Sequence, residues 1–305
     1  MSAPAAFGMT RHLSAFHRCA AALTRFLAVR VPGPLTRILS DIHYGDRASR
    51  VSALAQLRPL MDGVDELVLN GDTLDTRPGP RPGHTTACRA GVLEFVATNV
   101  PHTTILTGNH DPDFSAQHAI ELAGGQVVAT HGDIVFDDLV PWGRDSSIIR
   151  PKIAAVLAAL PPHERQGLAP RFAAWRQVAA SIPQRHQSEP HGFKYAFHFA
   201  ADTLWPPLRV VRILRAWHIY PALVAEFARV HWPKAKFITV GHTHRPGIWT
   251  SPAGVTIINT GSFCPPLGGY AVDVEPHRVV VRAVKMAAGE FRPARVVAEF
   301  PLAAR

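Results

Sequence analysis

Five short polar segments of this sequence contain residue types that bind metal ions. Two of them have alternating spacing, Asp41-x-His43 and His242-x-His244, which on an extended loop directs both side chains to one ion or to neighbouring ions. A carboxylate in the next loop, Asp72, can bridge a second ion about 3.5–4 Å from the first. The full set joins hard oxygen donors and imidazoles: Asp41, His43, Asp72, Asn109, His131, His242 and His244. The sequence therefore predicts two divalent metal ions, with Mn²⁺ favoured and Fe or Zn²⁺ as alternatives.

A short apolar run precedes each polar segment, as expected for loops at the carboxyl ends of strands. These runs cover residues 37–39, 66–69, 104–106, 126–129 and 236–240. Apolar periodicity predicts helices between them, from about Ser49 to Met61 and from about Cys88 to Thr98. Beyond Gly247 the runs are closely spaced and separated by turn signals, which indicates antiparallel pairing; they cover 248–250, 255–259, 270–274 and 279–284. The predicted fold class is α/β, a two-layered mixed β-sandwich flanked by helices.

A helical insertion, residues 142–235, separates the fourth polar segment from the fifth and supplies none of the candidate ligands. Helices are predicted within it at 148–160, 170–182, 208–220 and 221–230. From Trp142 to Lys234 the chain has 13 Lys and Arg against 5 Asp and Glu, and it holds five of the six tryptophans. This composition suits an anionic partner, such as nucleic acid, lipid head groups or nucleotides, and equally suits a solvated helical face with core tryptophans. We expect the insertion to be a cap that shapes the substrate site.

The rest of the chain divides into an N-terminal extension, residues 1–36, a main domain, residues 37–285, and a C-terminal tail, residues 286–305. The extension has four arginines and no acidic residue, and its apolar residues at helical spacing predict an amphipathic cationic helix. A packing helix or a helix on an anionic membrane surface is favoured for this segment. An organelle targeting sequence and a true start at Met9 are the alternatives.

The cysteines and the hydropathy of the chain indicate a cytoplasmic protein. Cys19, Cys88 and Cys264 are scattered, odd in number and without Cys-x-x-Cys spacing, which argues against disulfides and against a thiolate metal site. No apolar run reaches the length of a membrane-spanning helix. Peripheral membrane contact, through the insertion or the N-terminal helix, remains a predicted interaction.

The polar segments together resemble the motifs of the calcineurin-like metallophosphoesterase superfamily. The resemblance covers residues 37–284 apart from the insertion, and every motif is intact. The motifs are DxH at Asp41 and His43, GDxxD at Gly71 to Asp75, GNHD at Gly108 to Asp111, HGD at His131 to Asp133, and GHTH at Gly241 to His244. The resemblance implies a dinuclear phosphoester hydrolase in which a hydroxide bridging the metals attacks phosphorus in line.

The resemblance also implies which ion each ligand binds. One ion would be held by Asp41, His43 and His244. The other ion would be held by Asn109, His131 and His242, with Asp72 bridging the two.

Three further residues receive roles near these ligands. The resemblance implies that His110 is catalytic, either stabilising a phosphoryl oxygen or protonating the leaving group, and that Asp75 orients it. Arg77 lies close enough in sequence to contact phosphate, and Asn109 is predicted to contact the substrate as well as a metal. Protein phosphatases of the superfamily carry arginine directly after the second aspartate of GDxxD, whereas this chain has Thr76, which disfavours a protein phosphatase.

The substrate is left open among several classes. The layout is similar to that of UDP-2,3-diacylglucosamine pyrophosphohydrolases, which share GHTHRP, here Gly241 to Pro246, and a helical insertion. This chain departs from them at His110, where those enzymes typically carry arginine. A pyrophosphohydrolase acting on a lipid-linked diphosphate is the first alternative to a phosphoester hydrolase of undetermined substrate. A nuclease or nucleotide phosphodiesterase comes next, and a non-catalytic scaffold comes last because no ligand position is broken.

Overall fold

The computed structural model describes residues 34–184 and 207–303. The predicted extension up to residue 33 and the part of the insertion between 185 and 206, including Trp205, lie outside the described residues. The described residues form eleven strands: β1 (Thr36–Leu39), β2 (Glu66–Asn70), β3 (Thr103–Leu106), β4 (Ala119–Leu122), β5 (Val127–Thr130), β6 (Phe237–Val240), β7 (Gly247–Thr250), β8 (Thr256–Asn259), β9 (Tyr270–Glu275), β10 (Arg278–Ala287) and β11 (Glu290–Pro301). The α-helices of the described ranges are α1 (Pro82–Asn99), α2 (Ser146–Ala158), α3 (Leu168–Ala180) and α4 (Pro207–His231).

The strands form two mixed sheets, which confirms the predicted fold class. The first sheet has the order β11-β10-β9-β1-β2-β3, and the second has the order β4-β5-β6-β8-β7. On one side of the first sheet β1, β2 and β3 run parallel, with β3 at the edge. At the centre of the second β5, β6 and β8 run parallel. Every parallel strand therefore ends at an edge where its following loop can meet the loops of its neighbours.

Alternation of side chains along the strands separates three apolar layers. On β1, Ile38 packs between the two sheets, whereas Leu39 packs on the outer face against the 3₁₀ helix Leu54–Leu60 and α1. On β5, Val127 packs between the sheets and Val128 packs against the helices of the insertion. Successive side chains of a strand point to opposite faces, so strands buried on both sides must be apolar at nearly every position.

The described part of the insertion contains α2, α3 and α4, and these helices form the outer layer of the second sheet. Trp175 of α3 and Tyr220 of α4 are almost completely buried and belong to the same apolar cluster as Val128 and Ile238 of that sheet. The indole N–H of Trp175 donates to the carbonyl of Phe136 at 3.0 Å, which satisfies its polar atom inside this cluster. The insertion therefore contributes core side chains to the fold.

Helix α4 is continuous where the sequence predicted two helices separated at Pro221. Proline lacks an N–H, so the carbonyl of Trp217, four residues earlier, loses its helical hydrogen bond. Arg245 Nη1 donates to this carbonyl at 3.2 Å and compensates for the loss. The indole N–H of Trp217 also donates to the carbonyl of Thr243 at 2.9 Å. Residues distant in sequence thus stabilise a helix that local sequence alone predicts to break.

Two further elements differ from the sequence prediction. The helix expected from about Ser49 to Met61 is a shorter 3₁₀ helix, Leu54–Leu60, because the side chain of Gln56 accepts the N–H of Ala53 at 3.1 Å and Pro59 cannot donate a helical bond. Strand β11, Glu290–Pro301, falls within the predicted C-terminal tail and pairs along its length with β10. None of the described helices combines the length and the apolar content that a bilayer crossing requires.

Candidate metal centre

The loops after the parallel strands bring the candidate ligands together at one end of the sandwich. Five of these residues have positive φ angles of 50–69°, a left-handed conformation that costs about 1–2 kcal/mol for a residue with a side chain. They are Asp41, His43, Asp72, His242 and His244. Such strain persists only where surrounding structure imposes it, and it clusters at functional sites.

Two glycines permit the loops to approach this closely. A Cβ on Gly108 would collide with the Asp72 carboxylate and backbone, and a Cβ on Gly241 would collide with Asp41 and Ser40. The glycines of GNHD and GHTH therefore make room for the carboxylates of the neighbouring loops.

The first group of candidate ligands joins the loops after β1 and β6. His244 Nε2 lies 3.2 Å from Asp41 Oδ1 and 3.1 Å from His43 Nε2. Asp41 is completely buried, and its carboxylate accepts the backbone N–H of His242 at 3.0 Å and the hydroxyl of Ser40. His244 is the most open of the three, with 39% of its side chain exposed, which leaves this group accessible from solvent.

The second group joins the loops after β3, β5 and β6. Asn109 Oδ1 lies 2.8 Å from His242 Nδ1 and 3.3 Å from His131 Nε2. Asp72 Oδ2 lies 3.2 Å from His131 Nε2 and 3.8 Å from His43 Nε2. One oxygen of Asp72 thus stands between the two groups.

The chemistry of the second group fits a cation. His242 Nε2 lies 2.8 Å from the carbonyl of Leu139, so that nitrogen carries the ring proton and Nδ1 presents a lone pair to Asn109 Oδ1. His131 Nδ1 lies 3.2 Å from the carbonyl of Asn70, which orients its Nε2 toward the same oxygen. Two acceptors facing each other at 2.8 Å suit a bound cation with oxygen and imidazole ligands.

Burial and the carboxylates together decide which imidazoles are charged. Burial disfavours the imidazolium of His131, but the charge of Asp72 and a hydrogen bond to it prevail and raise the pKa of His131 to about 10. Burial, reinforced by His110, lowers the pKa of His43 to about 4, and burial with His131 lowers the pKa of His242 to about 4. His43 and His242 are neutral and able to coordinate at pH 7, and a cation binding at His131 must displace its proton.

His110 and Asp75 form a pair beside the ligand cluster. His110 Nδ1 lies 3.0 Å from Asp75 Oδ2, and the His110 backbone N–H donates to Asp72 Oδ1 at 2.8 Å. Burial and Arg77 oppose protonation of His110, but Asp72 and Asp75 outweigh them and raise its pKa. The two carboxylates therefore favour the protonated form of His110, which lies next to Asp72 and is not one of the seven candidate ligands.

Arg77 is committed to Asp75 in this structure. Its Nε and Nη2 donate to the two carboxylate oxygens at 3.0 and 2.6 Å, and Nη2 also lies 2.8 Å from His110 Nδ1. Burial opposes ionisation of Asp75, but His110 and Arg77 outweigh it and hold the pKa of this carboxyl well below its usual range. The predicted contact of Arg77 with phosphate stays a prediction, since the contacts seen are to Asp75 and His110.

Two aspartates of the motifs, Asp111 and Asp133, accept hydrogen bonds from backbone N–H groups and from an arginine rather than from ligand side chains. Asp111 accepts the backbone N–H groups of Gly108, Asp72 and Thr73 at 2.6–2.9 Å, which ties the GNHD loop to the GDxxD loop. Burial and the charge of Asp72 raise the pKa of Asp111 to about 7. Asp133 accepts Arg176 Nη2 of α3 at 2.6 and 2.7 Å.

Several residues that support the cluster were missed in the sequence. Arg176 lies 43 residues from Asp133, and the carbonyls of Leu139 and Asn70 orient His242 and His131 through the backbone. No motif spacing reveals such partners, because they depend on how α3 and the loops pack.

Cys264 is the unexpected neighbour of the first group. Its thiol and ligand nitrogens of His43 and His244 all lie within 4.8 Å of one another. Burial, together with the charges of Asp46, Asp41 and Asp72, raises the pKa of this thiol to about 12, although a hydrogen bond with Ser262 opposes the shift. The scattered cysteines argued against a thiolate near the metals; the fold nevertheless places one thiol there.

The fold and this ligand cluster define a metallophosphoesterase-type α/β sandwich. The model of the calcineurin-like phosphoesterase family matches residues 36–246, and the chain belongs to that family.

Three of the solved structures to which the chain is similar have the following measures of similarity. Vacuolar protein sorting 29 from Cryptosporidium parvum is 12% identical, with 89% of this chain and 100% of that chain covered and a TM-score of 0.42. A dimetal phosphatase from Danio rerio is 12% identical, with coverage of 83% and 96% and a TM-score of 0.40. A predicted phosphoesterase from Streptococcus pneumoniae is 12% identical, with coverage of 88% and 98% and a TM-score of 0.36. No curated protein sequence matches this chain.

Proposed function

We propose that this protein is a dinuclear metal-dependent phosphoester hydrolase. The observation that carries the proposal is the position of Asp72 Oδ2, which lies 3.2 Å from His131 Nε2 in one ligand group and 3.8 Å from His43 Nε2 in the other. Asp41, His43 and His244 would hold one cation, and Asn109, His131 and His242 the second. When bound, a pair of divalent cations supplies a nucleophile at neutral pH and neutralises charge on the phosphoryl group.

The residues of the chain supply the remaining parts of the reaction. Asp75 accepts from His110 Nδ1 and thereby fixes the orientation of the ring. The proton at the other ring nitrogen of His110 is then available for the leaving-group oxygen. His110 and then Arg77 outweigh burial and lower the pKa of Asp75, which favours the carboxylate that orients the imidazole. Asn109 would also contact the substrate beside the second cation.

Metal analysis combined with a substrate screen tests the proposal. Protein loaded with Mn²⁺, Fe²⁺ or Zn²⁺ and then dialysed should retain about two equivalents and hydrolyse an aryl phosphodiester. Less than about one equivalent, with no hydrolysis, would support the scaffold alternative instead. Phosphomonoesters, cyclic nucleotides, nucleic acid and nucleotide-diphospho-lipids, assayed in parallel, separate the substrate classes.

The exposed face of α4 favours a second candidate, hydrolysis of a lipid-linked diphosphate. Leu208, Val211 and Leu214 are 66%, 58% and 54% exposed, and they share this face with the exposed cations Arg212 and Arg215. An apolar face flanked by arginines suits acyl chains and anionic head groups.

The helix that carries this face also contacts the loop of the ligand cluster. Trp217 of α4 contacts the carbonyl of Thr243 between His242 and His244. Leu208 lies nine residues earlier, about 14 Å along the helix axis. An acyl chain on the α4 face could therefore belong to a substrate whose diphosphate reaches the metals.

Replacement of this face tests the lipid candidate. The triple substitution Leu208→Ser, Val211→Ser and Leu214→Ser should raise KM for a long-chain nucleotide-diphospho-lipid by at least about tenfold, since each buried methylene contributes about 0.8 kcal/mol. Hydrolysis of a soluble aryl phosphodiester should be unchanged. Val230→Ser is the control, because Val230 is 57% exposed at the other end of the same helix. Equal effects on both substrates would rule against an acyl-binding face.

A further inference from the structure

Cys264 reaches the first ligand group through a loop that is fixed to the DxH motif. The backbone N–H of Phe263 donates to the carbonyl of Asp41 at 3.1 Å, and the hydroxyl of Ser262 lies 3.2 Å from the same carbonyl. The hydroxyl of Ser262 also accepts the N–H of Cys264 at 2.9 Å. The position of Cys264 is therefore tied to the backbone of a candidate ligand.

The distances around the thiol approach those of a coordination shell. The Cys264 sulfur and ligand nitrogens of His43 and His244 lie within 4.8 Å of one another, and Cys264 is only 7% exposed. Ligand atoms on one tetrahedral ion at Zn–N and Zn–S bond lengths lie about 3.3–3.8 Å apart. A rotation of one side chain covers the difference of about 1 Å, so the three residues can share an ion without rearrangement of the backbone.

A second buried cysteine shows that burial alone does not create this arrangement. Cys88 of α1 is 8% exposed, about as buried as Cys264. Its sulfur lies 3.6 Å from His84 Nε2, but Cys88 belongs to none of the candidate metal-binding groups found among the described residues. Cys264, in contrast, has its sulfur within 4.8 Å of ligand nitrogens of His43 and His244, where a divalent cation would balance the charge of a thiolate.

We propose that Cys264 Sγ is an additional ligand of the cation held by Asp41, His43 and His244. This inference rests on the proposed two-metal function and deepens it. Coordination would release the thiol proton to solvent. Because thiolates prefer softer ions, the first site would select Zn²⁺ or Co²⁺ over Mn²⁺, the ion favoured by the oxygen and imidazole ligands alone.

Cobalt spectroscopy on the full-length protein tests this assignment independently of turnover. Wild-type protein and Cys88→Ser, loaded with Co²⁺, should both show the near-ultraviolet charge-transfer band of a cobalt–thiolate bond. Cys264→Ser and Cys264→Ala should each lose that band while keeping about two cobalt ions per chain. The serine variant should also lower Zn²⁺ affinity at least about tenfold, with Mn²⁺ affinity nearly unchanged.

The outcomes separate this inference from the proposed function. Two bound cobalt ions without a thiolate band in the wild type would overturn the Cys264 assignment and leave the two-metal site standing. A band that persists in both Cys264 variants would also overturn it. Failure of wild-type protein to bind cobalt or any other divalent ion would overturn the proposed function together with the inference.

Discussion

Asp72 and Asp133 lie in different loops at the same end of the sandwich, and both are almost completely buried. Arg176 neutralises Asp133 through two contacts of 2.6 and 2.7 Å, and arginine stays charged at any ordinary pH. Asp72 instead faces the imidazoles of His131 and His43 at 3.2 and 3.8 Å. The positive charge beside Asp72 is a proton that a metal ion can replace. We therefore expect the buried carboxylate to serve metal binding in the loop of Asp72 and stability in the loop of Asp133.

Among these substitutions, Asp72→Asn should have the largest effect on metal content and turnover. This substitution should remove at least one metal ion and lower turnover of an aryl phosphodiester by at least about 10³-fold, because the carboxylate that serves both ligand groups loses its charge. Metal content by mass spectrometry and steady-state rates measure both quantities. Asp273→Asn is the matched control. Asp273 is about as buried as Asp72, but it pairs with Arg37 at 2.6 Å and is not a candidate ligand. Retention of two metals with normal turnover would refute the bridging role.

For the pair at Asp133 we expect an effect on stability. Arg176→Ala leaves a buried carboxylate unpaired and should lower the free energy of unfolding by about 3–5 kcal/mol. Arg150→Ala is the control, because its pair with Asp137 has side chains that are 67% and 61% exposed and should contribute at most about 1 kcal/mol. Urea denaturation of metal-free protein measures the difference. Equal losses in the two variants would contradict the assignment of Asp133 to a stabilising role.

His110 lies beside Asp72, and its substitution should separate catalysis from metal binding. His110→Ala should keep both metal ions and lower kcat by about 10²–10⁴-fold, with the larger loss on substrates that have poor leaving groups. Asp75→Asn should show the same pattern with a smaller loss, because it disturbs only the orientation of the ring. Rates across aryl esters of graded leaving-group pKa measure this dependence. Loss of metal from the His110 variant would instead assign His110 to coordination.

The smallest predicted effect is a pH dependence of the free energy of unfolding that is caused by His118. Burial and Arg176 lower the pKa of His118 to about 4, although Asp133 partly opposes the shift. Between pH 6.5 and 4 the unfolded chain therefore binds a proton that the folded chain excludes, and stability falls as the pH falls.

His118→Gln should reduce this pH-dependent loss of stability by about 1 kcal/mol. This value is smaller than the full pKa shift would give, because His118 is only partly buried. Urea denaturation of both proteins at pH 7 and at pH 4.5 measures it. The control is His163→Gln, since the His163 side chain is 81% exposed. An unchanged difference between the two pH values in His118→Gln would show that another group is responsible.

Local pattern in the sequence was sufficient for most of the framework. Strands buried on both faces need apolar residues at consecutive positions, so β1, β2, β3, β5 and β6 were all visible as short runs before polar loops. The family and the sandwich fold followed from those loops and are confirmed. Strand β11 was not visible, because only Phe291 along it is fully buried and its alternation is weak.

Other features depended on residues far apart in the chain. Arg245 stabilises α4 across Pro221, and Arg176 pairs with Asp133. Local spacing in the sequence predicts neither contact. The sequence by itself determined which donors and acceptors are present and the order in which the strands present them. Only the tertiary structure decided their charge balance, because the proton on His131, the pairing of Asp133 and the nearness of Cys264 to His43 all depend on distances across loops that meet only in the folded chain.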